Sequence, residues 1–271
     1  MGADRPSVDP EAGPGRRDAG SGLVPGEDGA RGRRTVRSFV IRAGRLTNGQ
    51  RAAIEQLWPR YGVGGPAALD PERVYGRRAP WVVEVGFGNG EALLALALRH
   101  PEWDFLGVEV HPPGVGRLLA GLAAAGLENV RVARQDAAEV LAQQVPAGSV
   151  DRLHLWFPDP WPKRRHHKRR LVQPAFAGLV ARVLRPGGCV HVATDWEDYA
   201  RHILEVLEAE PRLVNAAGPG GFLEGRGERP ASRFERRGFR LGHTVFDLLY
   251  RRRERSDGAP AEVAEARVAG P

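Results

Sequence analysis

Cysteine occurs once in this chain, at Cys189, so no internal disulfide can form and the composition fits a reducing compartment. A lone thiol within an apolar run reads as a small core residue. No apolar stretch approaches the ~20 residues that a membrane-spanning helix needs. The N-terminus lacks an apolar signal core, so a cytoplasmic location is expected, with no membrane association. Histidines and cysteines do not cluster at metal-ligand spacings, and no metal is expected. Lysine is nearly missing as well: of 40 basic residues only Lys163 and Lys168 are lysine.

The 271 residues suffice for one α/β domain with tails. A formal charge of +7 favours a polyanionic partner. Residues 1–34 and 256–271 are built from Gly, Pro, Ala and charged residues with little to bury, and are expected to be disordered tails around a domain over 35–255. Within that domain the pattern alternates. Strand-like runs at Trp81–Val85, Phe105–Val110, Val130–Ala133, Val150–Phe157 and Cys189–Ala193 are separated by helical stretches. These helices include Glu91–Arg99, a long one over about Lys168–Leu184 and another through about Ala209. A short helix over Asn48–Trp58 comes first. Such alternation predicts a doubly wound, mostly parallel Rossmann-like sheet. The last apolar run, Thr244–Leu249, adds an antiparallel edge strand.

In an open parallel sheet, ligands sit beyond the carboxyl ends of the strands, so the residues closing each strand carry the chemistry. The first strand ends in Glu84-Val85-Gly86-Phe87-Gly88-Asn89-Gly90. Gly86, Gly88 and Gly90 alternate, which lets the backbone turn sharply against a ligand. A dinucleotide fingerprint would have Gly-x-Gly-x-x-Gly aimed at a pyrophosphate. Here the spacing differs, and an acid precedes the turn. S-adenosylmethionine has no phosphate, and Glu84 suits its cationic amino acid part. Glu109 closes the second strand, where a carboxylate can accept from both ribose hydroxyls. Asp136 follows the third and can accept from an adenine amino group. Together these acids point to S-adenosylmethionine as methyl donor.

The fourth strand runs into Leu155-Trp156-Phe157-Pro158-Asp159-Pro160-Trp161-Pro162. Prolines stiffen this loop, aromatics offer flat apolar faces, and Asp159 offers acceptors; a purine needs both a face and an edge partner. Both lysines fall in the basic run that follows, Lys163-Arg164-Arg165-His166-His167-Lys168-Arg169-Arg170. Beside the methyl-transfer loop, this run reads as a phosphate-binding surface. After the fifth strand, Asp195 and Trp196 bring a carboxylate and an indole to the same rim.

With these motifs in view, the chain resembles the bacterial tRNA (guanine-N7)-methyltransferase family from about Arg34 to Arg251. Phe157–Arg170 and Ala193–Trp196 carry the resemblance most specifically, with Arg34–Phe39 and Gly44–Thr47 in support. The resemblance implies that Glu84, Glu109, Asp136 and Asp159 contact S-adenosylmethionine and that Asp159 is also catalytic. It implies that Lys163, Asp195, Ser232, Arg233, Phe234 and Glu235 contact substrate, and that Arg165, His166, His167, Lys168, Arg169 and Arg170 touch RNA. The implied substrate is a guanosine in the tRNA variable loop, handled without an obligatory protein partner; monomer and homodimer both stay open. One departure stands out: the family's Thr-Lys-Phe-Glu is Ser232-Arg233-Phe234-Glu235 here. Two other readings remain open, a same-fold enzyme acting on another RNA site and a non-catalytic tRNA-binding protein.

Overall fold

Five apolar runs, each buried along most of its length, form the centre of an eight-stranded sheet in the computed structural model. The model describes residues 38–39, 46–65, 67–231, 235 and 244–254. In chain order the elements begin with α1 (Asn48–Tyr61), β1 (Gly62–Val63), α2 (Pro71–Tyr75), β2 (Trp81–Val85), α3 (Glu91–Arg99), β3 (Asp104–Val108), α4 (Pro112–Ala124) and β4 (Val130–Ala133). Then come α5 (Ala137–Glu139), which runs into a π-helical turn at Val140–Gln144, β5 (Val150–Trp156) and a 3-10 segment at Arg164–Arg169. The chain continues through α6 (Pro174–Val183), β6 (Leu184–Thr194), α7 (Glu197–Glu208), β7 (Leu213–Asn215) and β8 (Phe246–Arg252).

The strand order is β1-β4-β3-β2-β5-β6-β8-β7. All pairs from β1 to β6 are parallel, whereas β8 is antiparallel to both β6 and β7. From β2 the chain first winds outward through β3 to β4, then crosses to β5 and β6. The reversal puts a switch-point crevice at the carboxyl ends of β2 and β5. The sheet is covered on both faces. Val83, Leu106, Leu153 and Val190 pack with Phe176 of α6 and Ile203 of α7, while Val82, Phe105 and Val132 pack with Leu96 of α3 and Leu119 of α4. Among the described residues, no helix is long and apolar enough to cross a membrane.

The antiparallel edge contains one strand more than the sequence predicts. β8 covers the Thr244–Leu249 run, and the three-residue β7 pairs with its outer side. The helix expected over 168–184 begins only at Pro174. Gln173 is extended (φ −127°, ψ 165°), as the residue before a proline prefers, so a continuous helix cannot pass through it. β6 starts earlier than Cys189, because Pro186-Gly187-Gly188 is absorbed as an irregularity: Val150 pairs with Leu184 and Arg152 with Cys189. The Cys189 thiol is buried, as its setting in an apolar strand predicts.

Candidate active site

The turn after β2 has all three glycines left-handed, at φ 70°, 56° and 74° for Gly86, Gly88 and Gly90. Such backbone costs an L-residue roughly 1–2 kcal/mol, which is why glycine stands there. Between them the Phe87 ring is buried and pins the turn to the core. Among the described residues, no atom lies within 4 Å of where a Cβ on Gly86 or Gly88 would stand, so these glycines leave room at the face of the turn. Glu109 ties this turn to the next strand end. One carboxylate oxygen accepts from the Gly88 amide at 2.9 Å; the other accepts from Val110 and His111 at 2.7 and 3.0 Å.

Glu84 is 3% exposed, and burial pushes its carboxyl up to about 8. Its Oε2 has no hydrogen-bond partner among the described residues. In register beside it on β5 is His154, whose Nδ1 is also without a partner among the described residues and whose pKa is held well below the usual range, first by burial and then by His191 and Arg152. Trp156 stacks on His154, with centroids 4.4 Å apart, and its indole N–H lacks an acceptor among the described residues. Val85 and Gly86, rather than Glu84, form the adjacent wall of a cavity of about 260 Å³. Glu109 and Asp159 line both this cavity and a neighbouring cleft of about 550 Å³ that Trp161 also borders. Asp136 caps α5, its Oδ1 accepting from Ala138 at 2.8 Å, and borders a third hollow with Phe39 and Val110. An aspartate is a preferred residue at such a helix start. An orphaned buried carboxyl, a glycine cradle with room at its face and a backbone-anchored carboxylate together fit the cationic amino acid and diol of S-adenosylmethionine.

The loop after β5 is strained on both sides of Asp159. Phe157 and Trp161 are the two non-glycine residues with positive φ among the described residues, at 55° and 46°. Conformations of this kind persist only where the surroundings impose them. The Phe157 amide donates to Ala193 at 2.7 Å, which places the end of β6, with Asp195 and the exposed Trp196, beside the loop. The Arg229 guanidinium lies 5.2 Å above the Phe157 ring. At the other end, the Trp161 indole donates to the Ser38 carbonyl at 3.1 Å, and Arg169 lies 5.1 Å from its ring.

Residues 78–248 match the family described as "Putative methyltransferase". The chain is 59% identical over 230 residues to the tRNA (guanine-N(7)-)-methyltransferase of Alkalilimnicola ehrlichii, covering 84% of this chain and 97% of that protein. To the tRNA (guanine-N(7)-)-methyltransferase of Leifsonia xyli subsp. xyli it is 57% identical over 218 residues, covering 79% and 95%. This chain belongs to the tRNA (guanine-N7)-methyltransferase family. Among solved structures, the 16S rRNA methyltransferase KamB is 20% identical with a TM-score of 0.48, covering 78% of this chain and 96% of that one.

Within this family frame, the basic run divides in two. Lys163, just before the 3-10 segment, and Arg164, Arg165 and Lys168 on it are exposed, and His166, His167 and Arg169 are partly so. Burial and then Arg165, Arg169, Lys163 and Lys168 hold His166 below its usual pKa. Arg170 departs from the expected RNA-facing set: it is 3% exposed. It donates to the Pro160 carbonyl at 2.9 Å, pairs with Asp198 and lies 4.8 Å from the Tyr199 ring. The reason is geometric, since the 3-10 segment ends at Arg169 and the chain then turns inward toward Val172. Glu235 departs similarly. It is buried, and both its oxygens accept from Arg229, at 2.7 and 3.0 Å. Ser232, Arg233 and Phe234 lie outside the described residues, as do the two tails. The sequence marks Arg229 as the head of a basic loop before the last strand but gives it no site role, because it looks like one more arginine ahead of the Ser232–Glu235 motif.

Proposed function

We propose that this chain transfers a methyl group from S-adenosylmethionine to N7 of a guanosine in tRNA, with Asp159 as the catalytic residue. The single observation that carries the reading is the placement of Asp159. It is exposed at the meeting of the two cavities, one walled by the glycine turn and the other bordered by Trp161, and the exposed lysines and arginines follow directly. When bound, S-adenosylmethionine supplies an electrophilic methyl on a sulfonium. Guanine N7 carries a lone pair and no proton, so the protein needs no base to activate it. The requirement is alignment, together with compensation for positive charge that grows on the purine. Asp159 meets both needs by accepting from guanine N1–H and the exocyclic amine. Trp161 offers an indole face beside it, and Lys163, Arg165 and Lys168 present charge for the phosphates. Glu84, Glu109 and the Gly86–Gly90 turn hold the donor. The resemblance to the family further supports a variable-loop guanosine as acceptor.

The test is methyl transfer from labelled S-adenosylmethionine to unmodified tRNA, with nucleoside analysis of the digest. The expected product is 7-methylguanosine. Asp159→Ala should lower turnover by about a hundredfold or more, as loss of an aligning and charge-compensating group does, while leaving donor affinity within a few-fold. Label in a different nucleoside would refute the N7 assignment, and equal losses of turnover and donor binding would remove Asp159 from the catalytic role.

A further inference from the structure

We propose that Arg229 is a positioning residue for methyl transfer: it locks the C-terminal segment onto the sheet and holds the strained turn at Phe157 that presents Asp159. This rests on the reading above. On the sheet face shared by His154, Trp156, His191 and Asp247, the segment around Gly221–Ala231 lies against β5, β6 and β8. The Leu223 amide donates to the Asp247 carbonyl at 2.7 Å, and Arg152 pairs with Glu228 at 2.9 Å. Arg229 is the anchor of this covering segment. Its guanidinium donates to both carboxylate oxygens of Asp247 at 2.9 Å each and to both of Glu235 at 2.7 and 3.0 Å. Arg229, Asp247 and Glu235 are all at least nine-tenths buried, and His191 Nε2 meets Asp247 at 2.8 Å on Oδ1, the oxygen that also accepts from Arg229 Nε.

Two bidentate grips fix the guanidinium plane, and that plane lies over the Phe157 ring. A planar fork held on two sides gives a rigid cationic lid for an aromatic ring, which an ammonium on a flexible stem does not. Phe157 is left-handed and stands two residues before Asp159. Without a fixed ring, nothing in the side chain would favour φ 55° over ordinary backbone. Arg229 thus joins three parts that the sequence keeps far apart: the β5 loop, β8 through Asp247, and the Ser232–Glu235 motif through Glu235.

Arg229→Lys retains the charge and removes the fork. Turnover is measured at saturating tRNA and donor, and is normalised to the number of donor-binding sites found by calorimetry, so that unfolded protein does not count. The expected result is a fall of about tenfold or more in kcat per site, the scale on which a small misplacement acts, with donor Kd and tRNA KM within about threefold of wild type. A purely structural role would leave kcat per site unchanged, and that result would overturn the proposal. So would loss of donor binding together with turnover. A second comparison places Arg229→Lys on a Phe157→Leu background. If Arg229 acts through the ring, the lysine should cost little more there; additive losses would show that it acts elsewhere. Failure of the plain methyl-transfer assay with wild-type protein would instead strike at the proposed function.

Discussion

A Cβ on Gly114 would stand 2.0 Å from the carbonyl oxygen of Gly88. The first turn of α4 therefore rests directly on the Gly86–Gly90 turn, and only a residue without a side chain allows that contact. Gly114→Ala should push the turn outward. Overpacking of this kind costs about 1–3 kcal/mol, so we expect a lower melting temperature and donor affinity weakened by about tenfold. Calorimetric titration and a thermal melt check both; an unchanged affinity would show that the turn relaxes freely.

Glu84 makes stability depend on pH. Its folded carboxyl titrates near 8, whereas in an unfolded chain it titrates near 4.3. Between those values the folded state holds the extra proton, so this contribution to stability is complete at the acid end and is lost as pH rises through about 8. The donor-free protein should lose melting temperature across that window, and Glu84→Gln should lose less. A cationic donor would favour the ionised carboxyl. Binding near pH 7 should therefore release a proton, measurable as a buffer-dependent heat that Glu84→Gln abolishes.

The exposed and buried halves of the basic run should respond differently to substitution. Lys163→Ala and Lys168→Ala should each flatten the log–log salt dependence of tRNA binding by about one unit, with donor affinity and melting temperature unchanged. Arg170→Met should leave the salt slope as it is. It strips a partner from the Pro160 carbonyl and from Asp198, which costs about 1–3 kcal/mol of stability, and it should slow turnover by loosening the Asp159 loop. A steep loss of salt dependence in Arg170→Met would return that residue to the RNA surface.

The fold was largely legible because parallel strands buried on both faces are continuous apolar runs, and Trp81–Val85, Val130–Ala133 and Glu91–Arg99 could be bounded to the residue. β1 and β7 were not legible: two- and three-residue strands carry no period, and their pairing is decided by where β4 and β8 leave an edge. In the site, the acids at strand ends could be found by position. The buried row could not. Glu84, His154 and His191 become neighbours only through sheet register, and Arg229 meets Phe157 across a sequence separation that no local pattern encodes. For the same reason Arg170 looked like its neighbours. Charge is visible in a sequence, but the direction in which a side chain points after a 3-10 segment ends is not.

Lys163 and Lys168 are both exposed on the segment that follows the Asp159 loop, and no other lysine exists in the chain. Apart from the terminal amine, an amine-selective acylating reagent therefore has one patch of this protein to modify. Protection of that patch by tRNA can be read from a single peptide, and a dye attached there sits at the rim of the site. The arginine-rich composition of the rest of the chain makes this protein self-addressing to lysine chemistry, with the address beside the Asp159 loop.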